Sequence, residues 1–421
     1  MNILTISGSA WDDRNSVGNT YSNLLGEMDD VKLYNIYCRE AAPYNKYCKE
    51  YYTVTATDLI KNLFHRSRIG RRFSYEFEEQ PPQKQENAIE RTNAFLKGWI
   101  RNIGLLTLDC LYNNSWWQND KFKAFIAEAA PDIVFCFGIA DAYRFQILKY
   151  LKKHTNAKIV TFIVDDVYWA TKRSGNLLGW IESRRYKSLL SMSDKVYGIS
   201  QEMCDAYSKE FDCKVNLLHK GCELSEPMAK VNKPLDIVYA GNLLYGRDEI
   251  LGKLADALVS INNGMHKATL HIYTGSAITP RISELLNRGE SSRIEGSRPY
   301  SEIQEVMKQA DIVLHVESFD EKQKEIVRYS FSTKITDCLQ SGAVMMAIGP
   351  SGIASIEYPK RIPGAIVVDD LSCIKSSLQD IVDTPLQLIQ RAESIHAFAE
   401  SHHAINKVRD NLKNDFNNLI S

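Results

Sequence analysis

Phe331-Ser-Thr-Lys-Ile-Thr-Asp-Cys-Leu-Gln-Ser-Gly-Ala-Val-Met-Met-Ala-Ile-Gly349 reads as a polar turn, a short helix, a glycine stop and a buried strand. Ser332, Thr333 and Lys334 fall where the helix begins, so hydroxyls, backbone N–H groups and an ammonium converge on a place suited to an anion. Lys334 and Asp337 stand at i and i+3 and share a helical face. A cation and a carboxylate one turn apart suit a ligand with both phosphate and hydroxyls, such as a nucleoside diphosphate with its ribose. Gly342 stops the helix, and Ala343-Val-Met-Met-Ala-Ile348 has the unbroken apolar character of a parallel strand buried on both faces. A plain capped helix before a core strand would give the same pattern, so the neighbouring segments carry the decision.

Those segments alternate short apolar runs with amphipathic ones, the signature of a parallel α/β sheet. Strands are predicted at 235–240, 268–273, 312–316, 343–348 and 365–368, and earlier at 3–7, 133–137, 159–164 and 195–199. Helices fill the gaps, for instance Ala142–His154. The pattern breaks around Leu218-His-Lys-Gly-Cys-Glu-Leu-Ser-Glu-Pro227, and Lys230-Val-Asn-Lys-Pro234 reads as a linker. A chain of 421 residues is too long for one core. Two α/β domains are predicted, 1–228 and 234–395, followed by a helical tail at 396–421.

Bulk properties narrow the class. Apolar residues make up 44% and charged residues 24%, as in globular proteins. A net charge of −1 gives no global attraction to nucleic acid or to an anionic membrane. Nine cysteines without CxxC pairs argue against a disulfide framework or a zinc site and fit a reducing cytoplasm. Met1-Asn-Ile-Leu-Thr-Ile-Ser-Gly8 reads as a strand entering a turn rather than a signal peptide. No window reaches the roughly 20 apolar residues of a membrane span. A cytoplasmic protein is expected.

Residues 38–118 fit the α/β alternation poorly and are predicted to form an insertion. Lys61-Asn-Leu-Phe-His-Arg-Ser-Arg-Ile-Gly-Arg-Arg72 carries five Lys/Arg and no acid, with Leu63, Phe64 and Ile69 between them. Either this is a surface that leans on anionic lipid or a lipid-linked acceptor, or its basic face pairs with nearby acids such as Glu76, Glu78 and Glu79.

Further candidates surround the opening stretch. Ile237-Val-Tyr-Ala-Gly-Asn-Leu-Leu-Tyr-Gly-Arg247 is a strand ending in a glycine turn, with Gly241, Asn242 and then Arg247 where open α/β sheets bind ligands. A guanidinium there suits a diphosphate. Ile294-Glu-Gly-Ser-Arg-Pro-Tyr-Ser-Glu-Ile303 offers a turn at Gly296, a helix capped by Ser301, and the backbone of Ser297, Arg298 and Pro299 for a nucleobase edge. His315 and Glu317 share strand parity near the end of Ala310-Asp-Ile-Val-Leu-His-Val-Glu-Ser318; either one of them faces the ligand, or they are a satisfied strand-end pair. In the first half, Gly18 and Asn19 let backbone approach a substrate or make a simple strand-to-helix turn. Asp165 or Asp166 either orients an acceptor or sugar hydroxyl or caps a helix. No metal-ligand cluster is visible, since the adjacent acids of Asp165-Asp166 and Asp369-Asp370 would point apart on a strand.

The order of these elements resembles that of the retaining glycosyltransferases of the GT-B fold, in particular glycosyltransferase family 4. The likeness is carried by Ala240-Gly-Asn-Leu243 with Arg247, Glu295-Gly-Ser-Arg-Pro299, the Ala310–Ser318 strand and Asp337-Cys-Leu-Gln-Ser-Gly-Ala-Val344. In the first half it rests on Ser16-Val-Gly-Asn-Thr20, Val196-Tyr-Gly-Ile-Ser200 and Leu217-Leu-His-Lys-Gly-Cys-Glu223. Departures are clear too. Asn242 replaces the usual arginine, Tyr329 and Asp337 stand at the paired-glutamate positions, and Asp165-Asp166 replaces His-Asp.

The resemblance implies two Rossmann-like domains with parallel sheets facing across a cleft, and a C-terminal helix at 396–421 that packs back on the first domain. It also implies a nucleotide-sugar donor, UDP- before GDP-linked, on the second domain and a glycan or lipid-linked acceptor on the first. Transfer with retention, no cofactor, and a place in surface polysaccharide synthesis at the inner membrane face follow from the same likeness. Arg247 and Lys334 would receive the leaving diphosphate, and Asp337 the ribose. An epimerase of the same architecture and a non-catalytic sugar-nucleotide-binding subunit are the rival readings.

Overall fold

The computed structural model describes residues 1–62, 64–78, 104, 106–139, 141–173 and 175–421. It divides into two compact units: Met1–Ile199 with Cys204–Leu218 and Arg409–Ser421, and Ser200–Met203 with His219–Val408.

The first unit is built on eight strands: β1 (Asn2–Ser7), β2 (Lys32–Tyr37), β3 (Glu50–Thr53), β4 (Arg71–Ser74), β5 (Ile133–Phe137), β6 (Lys158–Ile163), β7 (Lys195–Gly198) and β8 (Val215–Leu217). Their order is β4-β3-β2-β1-β5-β6-β7-β8, parallel except for β4, which runs antiparallel to β3. Strands β1, β5 and β6 are apolar runs buried on both faces, with helices such as Ala142–His154 packed over them. Part of the stretch expected as an insertion is therefore sheet: β3 and β4 extend the first unit at its edge. Residues 79–103 of that stretch lie outside the described residues. Arg72 on β4 pairs with Glu50 and Glu128.

The second unit holds β9 (Leu235–Ala240), β10 (Ala268–Tyr273), β11 (Ser292–Gly296), β12 (Ile312–Val316), β13 (Val344–Ile348) and β14 (Ile366–Val368). All pairings are parallel, in the order β11-β10-β9-β12-β13-β14. Counted from β9 this is 3-2-1-4-5-6, the doubly wound order, with its reversal between β9 and β12. Ligands of such sheets sit outside the carboxyl ends of the two strands at the reversal. Those ends are Ala240 and Val316.

The opening stretch forms the helix Thr333–Ser341 and the fully buried β13. Gly342 closes the helix at φ 79°, and a Cβ there would run into the carbonyl oxygen of Glu226. Only glycine meets both demands. At 232–236, Asn232 and Asp236 donate backbone N–H groups to the Asp311 carboxylate at 2.9 and 2.7 Å. One expectation is corrected. The helix expected to be capped by Ser301 runs Tyr300–Gln309 with Pro299 at the cap position and no side-chain cap. The fixed φ of proline and its missing N–H set the boundary.

Candidate functional site at the carboxyl ends of β9 and β12

Beyond β9 the chain turns at Gly241-Asn242. The Tyr239 hydroxyl donates to the Asn242 carbonyl at 2.6 Å, and the Asn242 side-chain oxygen accepts from the Leu244 N–H at 3.2 Å. Tyr245 and Gly246, both at positive φ, deliver Arg247 as the first residue of the helix Arg247–Ile261. Its guanidinium is pinned on three sides: Nε donates to the Val316 carbonyl (2.9 Å), Nη1 to Asn242 Oδ1 (2.8 Å) and Nη2 to Glu317 Oε2 (2.7 Å). Asn242 thus orients the Arg247 guanidinium. The loop of one central strand is stitched to the end of the other.

Lys334 enters from the second residue of the helix Thr333–Ser341. Ser332 is the cap residue but makes no side-chain cap, and its own N–H donates to Ser355 Oγ at 3.2 Å. The Lys334 ammonium lies 3.4 Å from the Tyr239 hydroxyl and 5.1 Å above that ring. It occupies the space where a Cβ on Gly241 would stand. Burial pushes its pKa down and the Arg247 charge pushes the same way, while Glu317, Cys338 and Asp337 oppose. A buried ammonium that also feels the Arg247 charge favours an incoming anion.

One turn on, Asp337 accepts from the Tyr300 hydroxyl at 2.8 Å. Burial raises its pKa, against the Tyr300 hydrogen bond and the charges of Lys220 and Lys334. Ala240, Tyr300, Thr333, Lys334, Asp337 and Ser341 help line a cavity of about 250 Å³. A positive end at Lys334 and a hydrogen-bonding end at Asp337 and Tyr300 match a ligand that joins phosphate to hydroxyls. Among the described residues, no group of three or more His, Cys, Asp or Glu side chains gathers to hold a metal ion.

The sequence candidates separate. Gly241, Asn242, Arg247, Ser332, Thr333, Lys334 and Asp337 meet at this one end of the second sheet. Ser297, Arg298 and Pro299 form an exposed turn after Gly296, and Arg298 faces Glu302 at 3.7 Å. From that turn it is Tyr300 that reaches the cavity.

Gly18, Asn19, Asp165 and Asp166 belong to the first unit. The close approach at Gly18 is to the backbone of Asp12, where any Cβ would collide, and Asn19 is exposed. Asp166 Oδ1 accepts from the Trp169 N–H at 3.3 Å and the Tyr207 hydroxyl at 2.9 Å, so it anchors the start of the helix Val167–Arg173. Asp165 is exposed beside it. Tyr239 and Tyr300 escaped the sequence reading. The available signal was a hydroxyl near the carboxyl end of a largely apolar strand, and another directly after a proline turn.

No family model matches the chain, and no curated protein sequence matches it. Solved structures do. A UDP-forming α,α-trehalose-phosphate synthase from Burkholderia xenovorans aligns with a TM-score of 0.58 at 10% identity, over 100% of this chain and 99% of that one. Sucrose-phosphate synthase from Thermosynechococcus elongatus aligns at 0.57 and 11%, over 99% and 98%. Anabaena HepE, in complex with UDP and glucose, aligns at 0.55 and 11%, over 99% and 100%. At such identities the likeness is one of fold: the two-sheet α/β architecture of GT-B glycosyltransferases.

Proposed function

We propose that the protein is a glycosyltransferase that moves a sugar from a nucleotide-sugar donor to a glycan or lipid-linked acceptor. One observation carries this reading: Arg247, Lys334 and the amino end of the helix Thr333–Ser341 converge at the strand-order reversal of the second sheet. Departure of a nucleoside diphosphate builds negative charge, and fixed cations with exposed amides stabilise that charge without reorganising. Lys334 and Arg247 take the diphosphate, Asp337 and Tyr300 the ribose hydroxyls, and the turn at Ser297–Pro299 the base. A UDP-linked donor comes before a GDP-linked one, in keeping with the UDP named for several proteins of this fold.

The first unit holds the acceptor, where exposed Asp165 orients a hydroxyl. Retention of the anomeric configuration and a role in surface polysaccharide synthesis rest on the motif resemblance. A peripheral membrane contact at 61–72 belongs to the same proposal, supported by Phe64 at 93% exposure. The test is incubation with UDP-glucose, UDP-N-acetylglucosamine and GDP-mannose, following both nucleotide and sugar. Nucleoside diphosphate released with transferred or hydrolysed sugar is expected. Epimerised sugar without nucleotide release would make the protein an isomerase, and tight binding without turnover a binding subunit.

A further inference from the structure

The end of β12 holds more than a diphosphate site needs. Glu317 is 6% exposed and places Oε2 2.7 Å from Arg247 Nη2. Its other oxygen, Oε1, lies 3.5 Å from Nε2 of His315. His315 is fully buried, and neither ring nitrogen has a hydrogen-bond partner among the described residues. A buried polar group left unsatisfied costs free energy and calls for an explanation, such as a second state of the site that uses it.

The charged and titratable groups around His315 and Glu317 come from several elements. Tyr239 stands on β9, Arg247 opens its helix, and Lys334 lies on the helix Thr333–Ser341, where Asp337 and Cys338 act on it in turn. In this arrangement His315 is neutral. Burial pushes it down to about 4, Lys334 and Arg247 act in the same direction, and Glu317 opposes. The carboxylate of Glu317 meanwhile covers a guanidinium edge that an incoming diphosphate would take.

Resting on the donor site described above, we propose that Glu317 is an internal counter-ion: it yields Arg247 to the donor's diphosphate and turns to His315, the pair taking up one proton from solvent. The proton is shared between Oε1 and Nε2, and no bond of the donor changes. Without it, a buried carboxylate would face the diphosphate around one guanidinium, two like charges that cannot both stay ionised cheaply. With it, one charge disappears and one orphaned nitrogen gains a partner.

The test is calorimetric titration of the full chain with UDP in two buffers of different ionisation enthalpy. Uptake of about half to one proton per UDP is expected. Binding should weaken at least about twofold from roughly pH 7 to 8.5, above the last phosphate ionisation near about 6. Lys334, whose pKa is also depressed, is the competing source of a proton, so two variants separate them. Glu317→Gln should abolish the uptake and bind UDP more tightly than wild type at the higher pH. Lys334→Arg cannot titrate in this range and should keep the uptake. Loss of uptake in Lys334→Arg, or its persistence in Glu317→Gln, overturns the inference even if the other variant fails to fold. UDP binding with no uptake in the wild type overturns the inference and leaves the donor site standing; no binding of UDP at all overturns both.

Discussion

Lys334 is a desolvated ammonium whose nearest polar contact is a single hydroxyl at 3.4 Å. Burial and the neighbouring Arg247 charge leave its own charge poorly compensated, which is the condition under which a cation acts most strongly on a ligand. Lys334→Ala is therefore expected to lower turnover by about 10²–10³-fold, with the melting temperature nearly unchanged. Steady-state release of nucleoside diphosphate and a thermal melt check both halves; near-wild-type turnover would remove Lys334 from the mechanism. Lys334, Asp337 and Arg247 were legible in the sequence because each sits beside a local marker, a helix start or a glycine turn. Tyr239 and Tyr300 were not, since their partners lie 95 and 37 residues away along the chain. Glu317 was visible only as a charge near a strand end; its hold on Arg247 across 70 residues was not.

Among the elements, the strands buried on both faces announced themselves as apolar runs, and β5, β9, β10 and β12 fall where the sequence put them. The missed strands have a physical reason. β2 carries Asn35, fully buried yet polar, whose Nδ2 donates to Thr5 Oγ1 at 2.9 Å and Ser7 Oγ at 3.0 Å. β4, β8 and β11 are sheet edges, where one-sided burial leaves polar residues in the strand. The outer strands of the second sheet also hold a titratable tie. His271 on β10 places Nε2 3.2 Å from Asp236 and Nδ1 2.8 Å from Glu295. Only the imidazolium donates to both carboxylates, and its pKa is raised, by Asp236 foremost and by Glu295 against burial. A raised folded-state pKa means the stabilisation is complete below the ordinary histidine value and fades as pH climbs through the folded one. The chain should thus lose stability on going from about pH 6 to pH 9, and His271→Gln should flatten that slope in denaturant melts. An unchanged slope would place the pH dependence elsewhere.

At the scale of the molecule, the units are not simple halves of the chain. Arg409–Ser421 belongs with the first unit although it follows the whole of the second. Arg409 donates to the carbonyls of Asn23 (2.9 Å) and Ser22 (3.2 Å) and pairs with Glu27 at 2.6 Å. Phe416 is fully buried, with its ring 6.1 Å from that of Phe135 on β5. Phe416→Ala is expected to cost the first unit about 3–5 kcal/mol, read as a lower unfolding midpoint. A shift under about 1 kcal/mol would show that the terminal residues contribute little to that core. Local patterns give the helical character of this tail, but not which core it fills, because burial is decided by partners far away in sequence.

In the proposed donor site, the end of the second sheet receives a nucleoside diphosphate on Arg247 and Lys334. Ligand-dependent melting with UDP, GDP, UMP and uridine at equal concentration tests it most directly. Stabilisation of about 2.7 kcal/mol is expected at a hundred times the dissociation constant, a diphosphate exceeding the monophosphate and uridine giving almost none. Uridine as effective as UDP, or no shift with any of the four, would contradict the claim.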